Sequence, residues 1–173
     1  MVFMTPESPQ DDVAINRLLD VCFGASRHNK TVYRLRSGVA PLPELCFVAR
    51  AVPAGPLQGT IRYWPVRIEK TPALLLGPIA VAPEGQGHGV GAQLMTHSLE
   101  TARRNGHRIV LLVGDAPYYG RFGFTRGLAE GLILPGPVDP ARFLALELAP
   151  GALAGVQGRV LPERPAPAAV GAA

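Results

Sequence analysis

Long hydrophobic runs are missing from this chain. Crossing a bilayer takes roughly 18 or more uninterrupted apolar residues. The two longest candidates, Pro72 to Pro83 and Phe143 to Val156, are broken by Pro, Gly or Glu. The opening stretch, MVFMTPESPQDD, has neither the basic nor the apolar region of a signal peptide. Both absences predict a soluble, cytoplasmic protein with no membrane partner. Cysteine is scarce: Cys22 and Cys46 stand far apart and form no CxxC, so two reduced thiols are expected. His28, His88, His97 and His107 lack metal-ligand spacing and there is no HExxH, so no metal is expected. Lysine is confined to Lys30 and Lys70, and the basic residues behind the net charge of +4 are scattered. Arg34 with Arg36 and Arg103 with Arg104 come nearest to clusters. A nucleic-acid surface calls for a basic stripe with interleaved aromatics. None is visible, so no nucleic-acid partner is expected, and the excess charge offers a mild attraction for an anionic cofactor.

What is present suits one domain. The chain has 173 residues, 47% of them hydrophobic, enough to fill a core. Val2 to Met4 reads as a short strand. Ser8 or Asp11 then caps a helix running to about Phe23 and ended by Gly24. Asn29 to Arg36 reads as a second, shorter helix, and Pro41 and Pro43 mark a turn. Leu45 to Val52 and Gln58 to Ile68 form a hairpin around PAGP, and Pro72 to Val81 is a third strand. Gly77-Pro78 lies inside that strand, where proline cannot donate to a ladder, so a bulge or splay is expected there. Gly89 to Asn105 is helical, with Ala92, Met95, Leu99 and Ala102 as its buried stripe. His107 to Gly114 is a strand covered on both faces. Asp115-Ala116-Pro117 opens a short helix through Phe122, and Leu132 to Leu134 and Phe143 to Leu148 are late strands. The domain is expected to span residues 1–161, with 162–173, rich in Pro and Ala, as a disordered tail.

The most informative segment is Ile79 to Ala92, IAVAPEGQGHGVGA. An apolar strand ends at a proline, glycine recurs at Gly85, Gly87, Gly89 and Gly91, and a helix begins at once. Such a loop aims backbone amides at phosphate, and glycine keeps any Cβ from blocking the approach. A cofactor with a pyrophosphate is therefore expected. One reading is a dinucleotide fingerprint, because Gly87, Gly89 and Ala92 fit GxGxx[GA] and Asp115 follows after the next strand. Against it stand the insertion Pro83 to Gln86, the interrupted preceding strand, and the lack of further βα units.

The other reading rests on two motifs. Val81 to Ala92 is similar to the [QR]-x-x-G-x-[GA] loop of the GNAT acyl-CoA-dependent N-acetyltransferase superfamily, with Gln86, Gly89 and Gly91 at its defining positions. Tyr119 to Phe124, YGRFGF, resembles the same superfamily's Y-x-x-x-G-F. The wider run LLVGDAPYYGRFGF resembles one bacterial branch. The motifs come in the family's order, one helix and one strand apart, and cover about Leu74 to Phe124. In one respect the chain departs: Leu112 and Asp115 occupy spacings where many members carry Asn and Ala.

The resemblance implies a mixed α/β fold, a mostly antiparallel sheet of about six to seven strands flanked by helices and splayed open at an acetyl-CoA cleft. It implies that the backbone of Ile79, Ala80 and Val81 pairs with pantetheine. The amides of Gln86, Gly87, His88, Gly89, Val90 and Gly91 would hold the pyrophosphate. Tyr119 would be the acid that meets the departing sulfur, and a small-molecule or protein amine would be the acceptor, attacking directly in a ternary complex. A homodimer through a strand edge is compatible with this. Glu44, Glu69 and Asp115 are candidate bases by residue type alone. Two other functions remain open at this stage, a non-catalytic acyl-CoA-binding module and an NAD(P)-binding oxidoreductase.

Overall fold

Helical and strand periodicities alternate along the chain, and each element buries the face its sequence pattern marks. The structure is a computed structural model that describes residues 2–165. Strand β1 (Phe3–Pro6) leads into a 3-10 turn at Pro9–Asp11. Ser8 and Asp11 form a capping box there, with the Ser8 N–H and hydroxyl each donating to Asp11 Oδ2 at 2.9 Å. Helix α1 (Asp12–Phe23) buries Ile15, Leu18 and Leu19 and stops at Gly24, whose φ of +79° suits glycine. The second helical region begins earlier than its sequence predicts. A 3-10 turn at Ala25–Asn29 is separated from α2 (Val32–Arg36) by Lys30 in extended conformation. Arg27 pins that turn, donating from Nε to Asp20 Oδ1 at 3.0 Å and reaching Asn16 Oδ1 and the Tyr33 hydroxyl at 3.2 Å each.

Strands β2 (Phe47–Arg50), β3 (Leu57–Ile68) and β4 (Thr71–Val81) form an antiparallel meander. Helix α3 (Val90–Arg104) crosses to β5 (Ile109–Val113), followed by the short α4 (Ala116–Gly120). The chain ends in β6 (Leu132–Ile133), β7 (Phe143–Glu147) and β8 (Gly158–Pro162). The eight-stranded sheet has the order β1-β2-β3-β4-β5-β7, with β8 on β3 and β6 on β8. Among the described residues only β4–β5 and β6–β8 are parallel. A doubly wound dinucleotide fold needs a largely parallel sheet, so this topology speaks against that reading.

Strand β8 carries the count past the expected six to seven. It hides in sequence because it abuts the Pro/Ala-rich end. It pairs with Val66 to Ile68, and Glu163 N–H donates to Pro65 O at 3.3 Å. Pro162 and Glu163, expected in the tail, are thus held against β3; residues 166–173 of that tail lie outside the described residues.

The two sheet faces alternate as strand geometry requires. Leu74, Leu76, Val110 and Leu112 face Val90, Leu94, Met95, Leu99 and Ala102 of α3. Leu75, Ile109, Leu111 and Phe143 point the other way, toward Leu35 of α2 and the C-terminal segment. The α3 stripe is wider than its sequence suggests: Leu94 and Ser98 are buried, whereas Ala92 is only half-buried. Ser98 is accommodated because its hydroxyl meets the Tyr63 hydroxyl at 2.8 Å and Met95 O at 3.2 Å. Leu94 is fully enclosed, so its truncation to alanine costs about 2–5 kcal/mol.

Two features open the sheet. Between β3 and β4 the pairing steps from Ile61↔Ile79 to Tyr63↔Leu76, so Gly77 and Pro78 oppose Arg62 alone. The expected bulge is there, at a cis Gly77-Pro78 bond. Strands β4 and β5 pair only at Leu74↔Val110 and Leu75↔Leu111. Beyond those pairs the two parallel strands diverge into a wedge.

Candidate active site

The wedge is floored by backbone. Ala82 N–H donates to Gln58 O at 2.8 Å. Antiparallel ladders bond at every second pair, so Ala80 also turns its peptide groups toward β3, opposite Thr60. Ile79 and Val81 then present theirs to the wedge. Val81 O indeed accepts from Cys22 Sγ at 3.5 Å and Gln86 Nε2 at 3.4 Å, both off the β3 side. Of the three residues expected to offer free backbone, Ala80 is tied into the sheet, Val81 has its carbonyl engaged by two side chains and keeps only its N–H, and Ile79 is open. A cavity of about 280 Å3 fills the wedge, with Gly77, Pro78 and Ile79 on one wall and Leu112, Val113 and Gly114 on the other.

At the end of β4 the glycine loop forms a second concavity, of about 400 Å3. A 3-10 turn at Pro83–Gly85 lifts the chain, and Gly87 and Gly89 take φ of +77° and +75° to bring it into α3. The Gln86 N–H donates to Pro83 O at 3.3 Å and the His88 N–H to Gly85 O at 3.4 Å. Gly87 and Gly89 make no such backbone bond among the described residues, and Val90 and Gly91 begin a helix where no preceding carbonyl is available. Four N–H groups are therefore left without a backbone partner, among the described residues, at the positive end of a 15-residue helix. The His88 side chain is exposed and folds back, Nδ1 lying 3.0 Å from Gln86 O. The loop fits a diphosphate by its orphaned amides and by its shape. A Cβ at Gly91 would stand 2.8 Å from the Tyr118 hydroxyl and 3.4 Å from Val81 Cγ2, partly filling the cradle.

Helix α4 joins the two concavities. Asp115 caps it, accepting from Tyr118 N–H at 3.2 Å, and Pro117 fixes its first turn. Tyr118 lines both cavities, and Tyr119 lines the wedge. The Tyr119 ring lies edge-on to Tyr118 (4.9 Å between centroids) and Phe124 (6.2 Å). Burial pushes its phenol up to about 12, with Tyr118 adding to the rise and Arg142 opposing it. Tyr119 thus keeps its proton at any physiological pH.

Residues 8–127 match the acetyltransferase (GNAT) domain family. The chain belongs to the GNAT acetyltransferase family. It is 29% identical over 160 residues to an uncharacterized N-acetyltransferase of Escherichia coli, YhbS, covering 89% of this chain and 92% of that protein. A second uncharacterized E. coli N-acetyltransferase, YjhQ, is 33% identical over 104 residues, 59% of this chain and 58% of its own. The crystal structure of YhbS in complex with CoA superposes with a TM-score of 0.79 over 92% of this chain and 88% of that one. A GNAT acetyltransferase from Brucella melitensis in complex with acetyl-CoA is 28% identical, with a TM-score of 0.67 over 93% of this chain and 95% of its own.

Around this GNAT wedge the sequence-derived candidates separate. Asp115 lines the cavity. Glu69 sits at the β3–β4 turn, where its carboxylate accepts from Arg159 N–H at 2.8 Å, and Glu44 is exposed away from the wedge. Neither can serve as a base here. Trp64 borders the neighbouring hollow, donating Nε1–H to Gly77 O at 2.6 Å, whereas Tyr63 points into the core on the opposite face. Arg103 and Arg104 lie at the far end of α3 and bond Leu148 O and Thr101 Oγ1. Both cysteines are free thiols, and burial pushes Cys46 up to about 11, which makes it inert. Among the described residues no group of His, Cys, Asp or Glu could hold a metal ion, and no helix is long and apolar enough to cross a membrane.

The sequence reading did not assign several wall residues to the site. Arg121 lines the glycine-loop cavity, its guanidinium 4.7 Å from the centre of the Tyr118 ring. Arg27, Tyr33, Arg36 and Arg142 line the wedge, brought there from α1–α2 and the turn before β7. The only hint in sequence was the pairing of Arg34 with Arg36 on a helix ending beside Leu35, and nothing in that pairing told which of the two turns inward.

Proposed function

We propose that this GNAT acetyltransferase moves an acetyl group from acetyl-CoA to an amine by direct attack within a ternary complex. The protein is an acyl-CoA-dependent acetyltransferase, and the observation that carries the mechanism is that three features line the wedge and the concavity joined to it at Tyr118. These are the β4 edge open at Ile79 and at the Val81 N–H, the unpaired amides of Gly87, Gly89, Val90 and Gly91, and the protonated Tyr119. In this reading the diphosphate of the donor rests on those amides with Arg121 beside it. The pantetheine extends the sheet along β4, and a β4 N–H aimed into the wedge stabilises the carbonyl oxygen as charge develops on it.

The amine lone pair attacks the thioester carbon, the C–N bond forms, and the C–S bond breaks to leave a thiolate. The attacking nitrogen gives up one proton, for which Asp115, reached through water, is the acceptor in the wall. Tyr119 donates a hydrogen bond to the departing sulfur. A phenol near 12 is a weaker acid than a thiol, whose ordinary pKa is about 8.5. Its contribution is thus a hydrogen bond that steadies the thiolate rather than a completed proton transfer. Dependence on an acyl-CoA donor supports a cytoplasmic setting, and the free outer edge of β1, with Phe3 about half exposed, is where a second copy would extend the sheet.

Calorimetry with acetyl-CoA and with NAD, together with a CoA-release assay over a panel of amines, tests the reading. Acetyl-CoA binding with amine-dependent CoA release is the expected result. Binding without release for any amine would leave a non-catalytic acyl-CoA module, and uptake of NAD alone would end the proposal.

A further inference from the structure

The wedge is also lined by a cation that no carboxylate among the described residues neutralises. Arg36, the last residue of α2, is only 9% exposed. Among the described residues no carboxylate lies within ion-pair distance of it, and its Nε has no hydrogen-bond partner. Its guanidinium is packed between two rings, 4.7 Å from the centre of Tyr33 and 5.6 Å from that of Trp64. Its Nη2 reaches the β4 bulge, 3.0 Å from where a Cβ on Gly77 would stand. Arg36 lines both the wedge and an adjoining hollow of about 520 Å3, which share Arg27, Tyr33 and Pro78. Burial pushes the group down to about 10, against which Tyr33 acts.

Three of the neighbouring cations are accounted for. Arg27 is paired with Asp20, Arg62 holds Glu7 through two bonds of 2.8 and 2.6 Å, and Arg34 donates to Pro135 O at 2.8 Å. Lys30 and Arg142 add positive charge to the wedge, and Asp115 is the carboxylate among its lining residues. A buried charge left unpaired is costly, and a protein keeps one where a ligand brings the counter-charge. A second positive group, such as the far end of a polyamine, would meet repulsion in this wall.

We propose that Arg36 is the specificity determinant of the acceptor site, and that the acceptor is a small amine carrying an oxyanion, a carboxylate or a phosphate, which seats on the Arg36 guanidinium while its nitrogen faces the thioester. The flat guanidinium held between two rings suits a two-point contact with either oxyanion. Both cavities border Arg36, so a small molecule can span from it to the Tyr119 wall. This inference rests on the acetyltransferase reading above and deepens it by naming the substrate class.

The test is CoA release with acetyl-CoA and matched acceptors: amino acids beside their amides, and phosphoethanolamine beside ethanolamine. The two pairs separate carboxylate from phosphate. Anionic members are expected to exceed their uncharged partners about 10- to 100-fold in kcat/KM, the scale of one charge-assisted contact. In Arg36→Gln that preference collapses toward parity and in Arg36→Lys part of it survives, while calorimetric affinity for CoA, a check on folding, stays unchanged in both. Should Arg36→Gln not fold, the wild-type ratio and Arg36→Lys carry the test. Wild-type turnover of the uncharged or polycationic amines as fast as the anionic ones would overturn the inference. So would a preference that survives Arg36→Gln with CoA affinity intact, or acetyl-CoA binding with no anionic amine acetylated. Failure to bind acetyl-CoA at all would instead overturn the reading beneath it.

Discussion

Gly114 and Tyr119 fit together so closely that only glycine is compatible with the ring's position: a Cβ at 114 would stand 2.3 Å from Tyr119 Cε2 and 2.9 Å from Cδ2. Gly114 is buried at the end of β5, its N–H bonded to Arg142 O at 2.9 Å, so its backbone cannot yield. The ring would have to move. Gly114→Ala is therefore expected to lower kcat at least about tenfold by displacing the Tyr119 hydroxyl, with little change in KM for acetyl-CoA. Steady-state kinetics against acetyl-CoA checks it; a fall in affinity alone would mean that the ring's position is not what matters.

Tyr119→Phe removes the hydroxyl and keeps the ring. The expected loss in kcat is about 10- to 100-fold, the scale of one charge-assisted hydrogen bond, with CoA affinity retained. An unchanged rate would remove Tyr119 from the mechanism.

The pH profile follows from the raised phenol. Because Tyr119 holds its proton up to about 12, it contributes no alkaline fall in kcat across the range in which amines titrate. Activity should rise with pH as the acceptor loses its proton, and the midpoint should move with the acceptor's own pKa. For stability the sign is opposite: folding favours the neutral phenol, so its contribution is complete below the unfolded value of about 10 and is lost as pH rises through the folded value of about 12. A midpoint near neutrality that stays fixed from acceptor to acceptor would point to an enzyme group as the limiting base.

Gly91 tests the diphosphate cradle separately from the chemistry. Its Cβ would meet the Tyr118 hydroxyl at 2.8 Å, inside the loop cavity, and a larger side chain would occupy the donor's place. Gly91→Val is expected to weaken CoA binding by at least about tenfold; helix propensity favours valine over glycine, so any loss of stability reports only the crowding against Tyr118 and Val81. Calorimetry beside a thermal melt separates the two effects.

Asp11 should matter for folding and not for catalysis. Burial alone would raise its carboxyl, but the Ser8 N–H and hydroxyl and the Arg50 guanidinium outweigh that and hold it below the ordinary carboxylate range. Its contribution is present above the unfolded value and is lost as pH falls through the folded one. Asp11→Ala is expected to cost about 1–3 kcal/mol and to flatten the acid limb of stability below about pH 4. Denaturant unfolding at neutral and acid pH measures both.

Local signals in the sequence were sufficient for much of this. The β2–β3 hairpin around PAGP, the stop at Gly24, the Asp115-Ala116-Pro117 helix start and the bulge at Gly77-Pro78 all depend on residues within a few positions of each other. The glycine loop was legible for the same reason, since positive φ at Gly87 and Gly89 is a property of the local chain. Strand β8 was not, because its pairing with Val66 to Ile68 is long-range and its own residues run into a proline-rich end. Glu69 resembled a base by type, and only the fold brought it to Arg159 on β8.

What the sequence determined by itself was the donor side: a strand, a glycine loop, a helix start and a tyrosine motif in family order, each encoded by neighbours along the chain. What only the tertiary structure decided was the acceptor side. Arg36 and Tyr33 from α2, Trp64 from β3 and Arg142 from the turn before β7 meet in one wall. Whether an arginine there is solvated or buried without a counter-ion depends on what packs around it, and those neighbours come from distant parts of the chain.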